Sequence, residues 1–280
     1  MPSAAVLAVA EAKVNWGTLL KTCCVVLLLS VCSYSQVRPD KNASKASFVL
    51  EQMRKVQSEA PAVAYQVTRD YRLFGGNDST PSSEVVAEVD YSPSEGKSYE
   101  IQKQSGSKRG EDVVHRVLQH EVEMAQSKNS AQSAVDPSNY SLDYLGETNL
   151  EGNACYLLAL NPKRNDTELL QGTAWVDQKS FQIRRIQGRM VKNPSWFLKR
   201  VNVTIDFSEL SGSWLQTRVE AVADVRLIGS QTLRSEILDA HVGEPLLAKN
   251  SRNNEKVSSG RGKRHAAIPA TAIVSVDGTH

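Results

Sequence analysis

From Asn139 to Val242 one pattern recurs: apolar and polar residues alternate, and short polar turns interrupt them. In KRVNVTIDFSEL, Val201, Val203, Ile205 and Phe207 fall on one side, with Asn202, Thr204 and Asp206 on the other. In SWLQTRVEAVADVRL, Leu215, Val219, Ala221, Ala223 and Val225 oppose Gln216, Arg218, Glu220 and Asp224. A period of two is the signature of a strand with one buried face. Strands joined by turns this short run antiparallel, and such sheets commonly keep one face dry and the other wet.

The alternation extends upstream. AVAYQVTRDYRLFG sets Val63, Tyr65 and Val67 against polar neighbours. GGNDSTPSS is a turn by composition, and EVVAEVDYSP and KSYEIQKQ follow as strands. Further on, YSLDYLGETNLEGN and ACYLLALNP pair around Gly152-Asn153. QGTAWVD and SFQIRRIQG are joined by Gln178-Lys179, and SQTLRSEILDAHV closes a set of about ten strands. Two stretches switch to helical spacing. ASFVLEQMRKVQSEA aligns Val49, Met53 and Val56, with Ser44 or Ser47 as its cap. KRGEDVVHRVLQHEVEMAQS aligns Val114, Val117, Leu118 and Ala125, with Glu111 and Asp112 in the first turn, where the helix dipole favours acids. A sheet of about ten strands tends to curl. Two helices cannot cover it if flat. A curled sheet lidded by the helices leaves an apolar interior suited to a ligand.

The chain ends carry other signals. LLKTCCVVLLLSVCSYSQ, preceded by Lys13, has an apolar core of about ten residues, against the roughly 20 that a spanning helix needs. It reads as a secretory signal cleaved near Ser35; the alternatives are an uncleaved anchor, or a bacterial lipoprotein signal that would acylate Cys32. The expected organisation is a signal peptide over 1–35, a polar linker over 36–46, one domain over 47–242 and a disordered basic tail over 243–280, including RGKRH. With the signal removed, Cys155 is the only cysteine left, so no internal disulfide framework is available. Cys155 is then a small buried hydrophobe. A net charge of +2 argues against nucleic acid as a partner.

No catalytic or metal pattern assembles. His115 and His120 lie about 140° apart on a helix and read as solvated. No nucleophile elbow, phosphate loop or zinc spacing is present, so neither metal nor cofactor is expected. Asp177, Asp206 and Asp224 read as solvated charges. The adjacent Arg184 and Arg185 should face opposite sides of their strand, one of them towards the interior, where it would need an anionic or carbonyl partner. Trp196 and Phe197, in NPSWF, are expected to pack under the sheet rim; exposed, they would offer a membrane or ligand contact. Asn42, Asn77, Asn139, Asn165 and Asn202 all begin glycosylation sequons.

The order of several elements is similar to a known family. A Tyr/Leu strand ends in CYLLALNP; GTAWVD and IRRIQG follow, then the Val-rich VNVTIDF, then GSWL, and a last strand set off by Gly229. This succession, over Ser47 to Val242, resembles the periplasmic lipoprotein-carrier superfamily, which includes the outer-membrane lipoprotein-sorting proteins of the Lol system. The resemblance implies an α+β, mostly β fold: a curved antiparallel sheet forming a half-open barrel, with helices as a lid over a cavity for acyl chains. It implies an exported, periplasmic carrier, or one lipid-anchored through Cys32, that binds lipid acyl chains or lipoprotein as a non-enzymatic monomer. The cavity wall is expected at Val203, Ile205, Phe207, Val219 and Ala221, with Trp175 on a neighbouring strand. The alternative on the same fold is an envelope sensor or interaction scaffold that binds a membrane protein and carries no cargo.

Overall fold

The computed structural model describes residues 41–76, 78–126 and 131–243. Helix α1 spans Lys41–Glu59. Strands β1 (Tyr65–Gly75), β2 (Ser83–Ser92) and β3 (Gly96–Gly106) form a meander, and helix α2 (Lys108–Gln126) follows. A second meander runs through β4 (Tyr140–Leu150), β5 (Asn153–Pro162), β6 (Leu170–Asp177) and β7 (Ile183–Met190). It continues through β8 (Leu198–Leu210), β9 (Ser213–Val225) and β10 (Gly229–Val242).

All ten strands join one antiparallel sheet in the order β3-β2-β1-β10-β9-β8-β7-β6-β5-β4. The last strand therefore seats beside the first and unites the two meanders. The outermost strands β3 and β4 do not pair with each other, so the sheet is open, and among the described residues two helices accompany it, as expected. Register shifts interrupt several ladders, among them β1–β10, β2–β3, β6–β7 and β8–β9. Bulges bend strands and increase twist, which lets a ten-stranded sheet curl.

Both helices cover one face. α1 contacts β4, and α2 contacts β2 and β3. Val49 and Met53 of α1, and Val114, Val117 and Leu118 of α2, join a continuous core with Val85, Ala87 and Val89 of β2 and Leu158 and Leu160 of β5. Among the described residues no helix is long and apolar enough to cross a membrane.

One boundary and one side-chain placement differ from expectation. α1 begins at Lys41, so residues 41–46, read as linker, are helical. Ala46 lies three residues before Val49 and is buried with it, which extends the apolar stripe by a turn. Ser44 and Ser47 sit inside the helix, and the Ser47 hydroxyl donates to the Ala43 carbonyl. Trp196, expected in the core, is 78% exposed, while Phe197 packs against the core. The signal, with Cys23, Cys24 and Cys32, and the basic tail lie outside the described residues.

Candidate functional site

Alternation along β1 puts Val67, Arg69 and Tyr71 on the helix-covered face, where all three are buried. Arg69 is 6% exposed, in an otherwise apolar wall. Its Nη1 donates to the Ser235 hydroxyl of β10 at 2.9 Å, and its Nη2 donates to the backbone carbonyl of Gln216. Both acceptors are neutral, and no carboxylate among the described residues forms an ion pair with the guanidinium. The Tyr71 hydroxyl is buried beside it, facing Arg69 and Ser235. Burial, and then the charge of Glu121, push its ionisation well above the ordinary tyrosine range, while Arg69 opposes them.

The second part of the cluster comes from α2. Its apolar stripe runs through Val114, Val117 and Leu118, and the next place on that stripe is Glu121, which is buried. Glu121 Oε2 accepts from Lys97 Nζ of β3 at 2.9 Å, which ties the helix to the sheet. Burial alone would lower the Lys97 pKa; the Glu121 carboxylate outweighs it and raises the value, with Arg69 opposing. The cluster thus holds two cations and one carboxylate under α2. Lys97 also borders a hollow of about 540 Å³ at the strand ends, walled by Tyr65 and Tyr91, whose rings stack at 5.1 Å.

The five expected wall residues are Val203, Ile205 and Phe207 of β8 and Val219 and Ala221 of β9. They lie on the same face and are buried to 3% exposure or less. Register aligns Val203 with Ala221 and Ile205 with Val219. They therefore form a filled interior in this state, packed among other side chains. Trp175 is a correction. Ala174 and Val176 face the core, so period-2 alternation turns Trp175 to the opposite face, paired with Arg185.

Arg184 and Arg185 are a second correction. The ladder slips between Trp175 and Val176, which makes Arg184 a bulged residue. A bulge breaks the alternation, and both arginines meet carboxylates away from the core. Arg184 Nε donates to Asp177 at 2.6 Å, and Arg185 to Asp206 at 2.5 Å and Glu151 at 3.0 Å. They line a hollow of about 330 Å³ with Arg218 and Glu236, which also pair with each other. With its charges mutually satisfied, this hollow offers little to a ligand. Asp177, read as solvated, is buried and accepts from the backbone amides of Lys179 and Ser180, capping the β6–β7 turn. Burial raises its pKa, but these bonds and Arg184 bring it below the ordinary range. His120, also read as solvated, is half-buried 3.4 Å from Glu168. Cys155 is buried, as expected. Asn139 is buried too, and its side chain donates to the carbonyls of Ala131 and Ala134.

Sequence reasoning missed Arg69. The signal was present: continuing the Val63, Tyr65, Val67 alternation by one step reaches it. Among the described residues no group of three metal-ligating side chains converges. What the cluster can do chemically is hold an oxygen acceptor, anionic or carbonyl, at the edge of an apolar interior.

No protein-family model matches the chain, and no curated protein does. Among solved structures it is similar to a domain assigned to outer membrane lipoprotein sorting from Vibrio parahaemolyticus, at 12% identity and TM-score 0.43, over 73% of this chain and 95% of that one. It is similar to a LolA superfamily protein from Nitrosomonas europaea at 13% identity and TM-score 0.40, over 70% and 92%. A MucA/MucB complex from Pseudomonas aeruginosa matches at 12% identity and TM-score 0.25, over 71% and 94%.

Proposed function

We propose that this protein is an exported, non-enzymatic lipid carrier, acting in the periplasm in outer-membrane lipoprotein sorting. It takes an acyl chain against the helix-covered face of its sheet. The observation that carries this reading is the cluster of Arg69, Tyr71, Lys97 and Glu121 beneath α2. Burying an arginine without a carboxylate is costly. A lipid headgroup or ester oxygen reaching Arg69, with Tyr71 beside it, would relieve that cost.

The interior is filled, so a chain enters by displacing α2. The helix buries Val114, Val117, Leu118 and Met124. At about 1.5–3 kcal/mol each these hold it with roughly 6–12 kcal/mol, and a chain of roughly 16 methylenes regains about 13 kcal/mol. Helix and chain are therefore closely matched competitors for one surface.

The filled interior also supports a second reading, an envelope sensor that recognises a membrane-protein partner and carries no lipid. One experiment separates the two. The full chain is purified without detergent and titrated with a fluorescent fatty acid. A carrier binds it in the micromolar range, and Arg69→Met weakens the binding about 10- to 100-fold, the worth of a charge-assisted hydrogen bond. Absence of binding by the wild type would sink the carrier reading and leave the sensor.

A further inference from the structure

The β7–β8 loop and the β9–β10 turn share one end of the sheet and are bonded together. The Arg226 amide donates to the Phe197 carbonyl at 2.8 Å, and Arg226 Nε to the Trp196 carbonyl at 2.9 Å. From this joined tip Trp196, Leu227 and Ile228 project, the last two at 101% and 59% exposure. The loop is held in place. Asn193 Nδ2 bridges the carbonyls of Leu198 and Lys199, both at 3.0 Å, and Phe197 anchors in the core. Trp196 meets the Phe197 ring edge-on at 6.3 Å. Leu227 adopts a left-handed φ of 75° at the turn, a conformation that favours glycine or asparagine. The tip thus carries both backbone strain and full exposure on one leucine, with nothing inside the domain gained from either.

The tip itself is basic. Residues 191–200 and 225–229 contain Lys192, Lys199, Arg200 and Arg226, all exposed, and no acid, while Asp166 of the neighbouring β5–β6 loop lies near Lys192. The nearest acid along the ladder is Asp224, the register partner of Arg200. Protein-interface cores are depleted in lysine. Tryptophan and aliphatic residues at a loop tip ringed by Lys and Arg instead suit the headgroup layer of an anionic bilayer.

We infer that this tip docks the protein on an anionic lipid surface, with Trp196, Leu227 and Ile228 entering the headgroup layer and the four basic residues meeting lipid phosphates. The inference stands apart from the carrier reading, because the Tyr65–Tyr91 hollow lies at the other end of β10.

The test is co-sedimentation of the full chain with vesicles of phosphatidylcholine containing about one-third phosphatidylglycerol, against vesicles of phosphatidylcholine alone. The wild type is expected to partition onto the anionic vesicles only. Trp196→Ser combined with Leu227→Gly should reduce partitioning at least about tenfold. Glycine suits the left-handed φ, so this variant keeps its fold, as an unchanged circular-dichroism melt would show. The basic tail is identical in both proteins, so their difference reads the tip alone. Equal partitioning of variant and wild type would overturn the inference. So would equal binding to both vesicle types, or binding to neither, and the last would leave a protein partner as the occupant.

Discussion

Arg69 and His120 show how a single side chain sets what the interior can do. Arg69 has only neutral acceptors, Ser235 and the Gln216 carbonyl. Arg69→Met should therefore cost little stability, or add some, while lowering affinity for a carboxylate-headed lipid. A denaturant midpoint beside the fatty-acid titration checks both halves. His120 works through pH. Burial opposes its charge, but the hydrogen bond to Glu168 and the nearby Glu123 and Glu121 raise its pKa above the ordinary value. A raised folded pKa contributes stability that is fully present below about pH 6.5 and is lost as pH rises through the folded value. The melting temperature should fall between about pH 6 and pH 8, and His120→Gln should flatten that fall. Asp166 and Asp177, whose pKa values are lowered, lose their contribution only under acid conditions, outside this window.

Among the elements, α2 and the β6–β7 hairpin carry the argument. α2 is fixed to β3 by the ion pair of half-buried Lys97 with buried Glu121. Glu121→Gln leaves half-buried Lys97 without its counter-charge and should cost about 1–3 kcal/mol, whereas Lys97→Met with Glu121→Leu should recover most of it. Chemical denaturation of the three proteins checks this, and a double variant as weak as the single would refute it. In the hairpin, Gly172 and Gly188 pair directly. A Cβ on Gly172 would meet the Gln187 carbonyl oxygen at 2.0 Å and Gly188 Cα at 2.5 Å. Backbone cannot yield as a flexible side chain can, so Gly172→Ala should cost about 1–3 kcal/mol, read from the denaturation midpoint. Next to this close approach comes the bulge that turns Arg184 and Arg185 towards Asp177 and Asp206.

At the scale of the whole molecule, the open sheet leaves β3 and β4 as edges. Each is guarded: β3 carries Lys97, Glu100 and Lys103, and both edge ladders hold a register irregularity, the β4 one at Leu145. The open sheet also gives the molecule two ends, with the Tyr65–Tyr91 hollow at one and the Trp196–Leu227 tip at the other. A carrier so arranged would rest on a membrane by one end. For a carrier, native mass spectrometry of the full chain, purified without detergent, should show a retained mass that dissociates into acyl species. A bare chain that also ignores added lipid would favour the sensor.

Periodicity by itself determined the strands, their antiparallel joining by short turns, the two helices and the faces of Val203, Ile205, Phe207, Val219 and Ala221. These follow from local geometry, because a period of two or of 3.6 is written into neighbouring residues. The order of elements also carried the resemblance to a carrier sheet. Only the tertiary structure decided the site. Arg69, Lys97 and Glu121 come from two strands and a helix, and their meeting depends on pairings that no local pattern encodes. Bulges decided Arg184 and Arg185, since one inserted residue reverses an alternation that the sequence displays as unbroken. The helix-covered face came out filled because both helices and all the inner strands share one core, and that is a matter of packing, which no spacing of residues records.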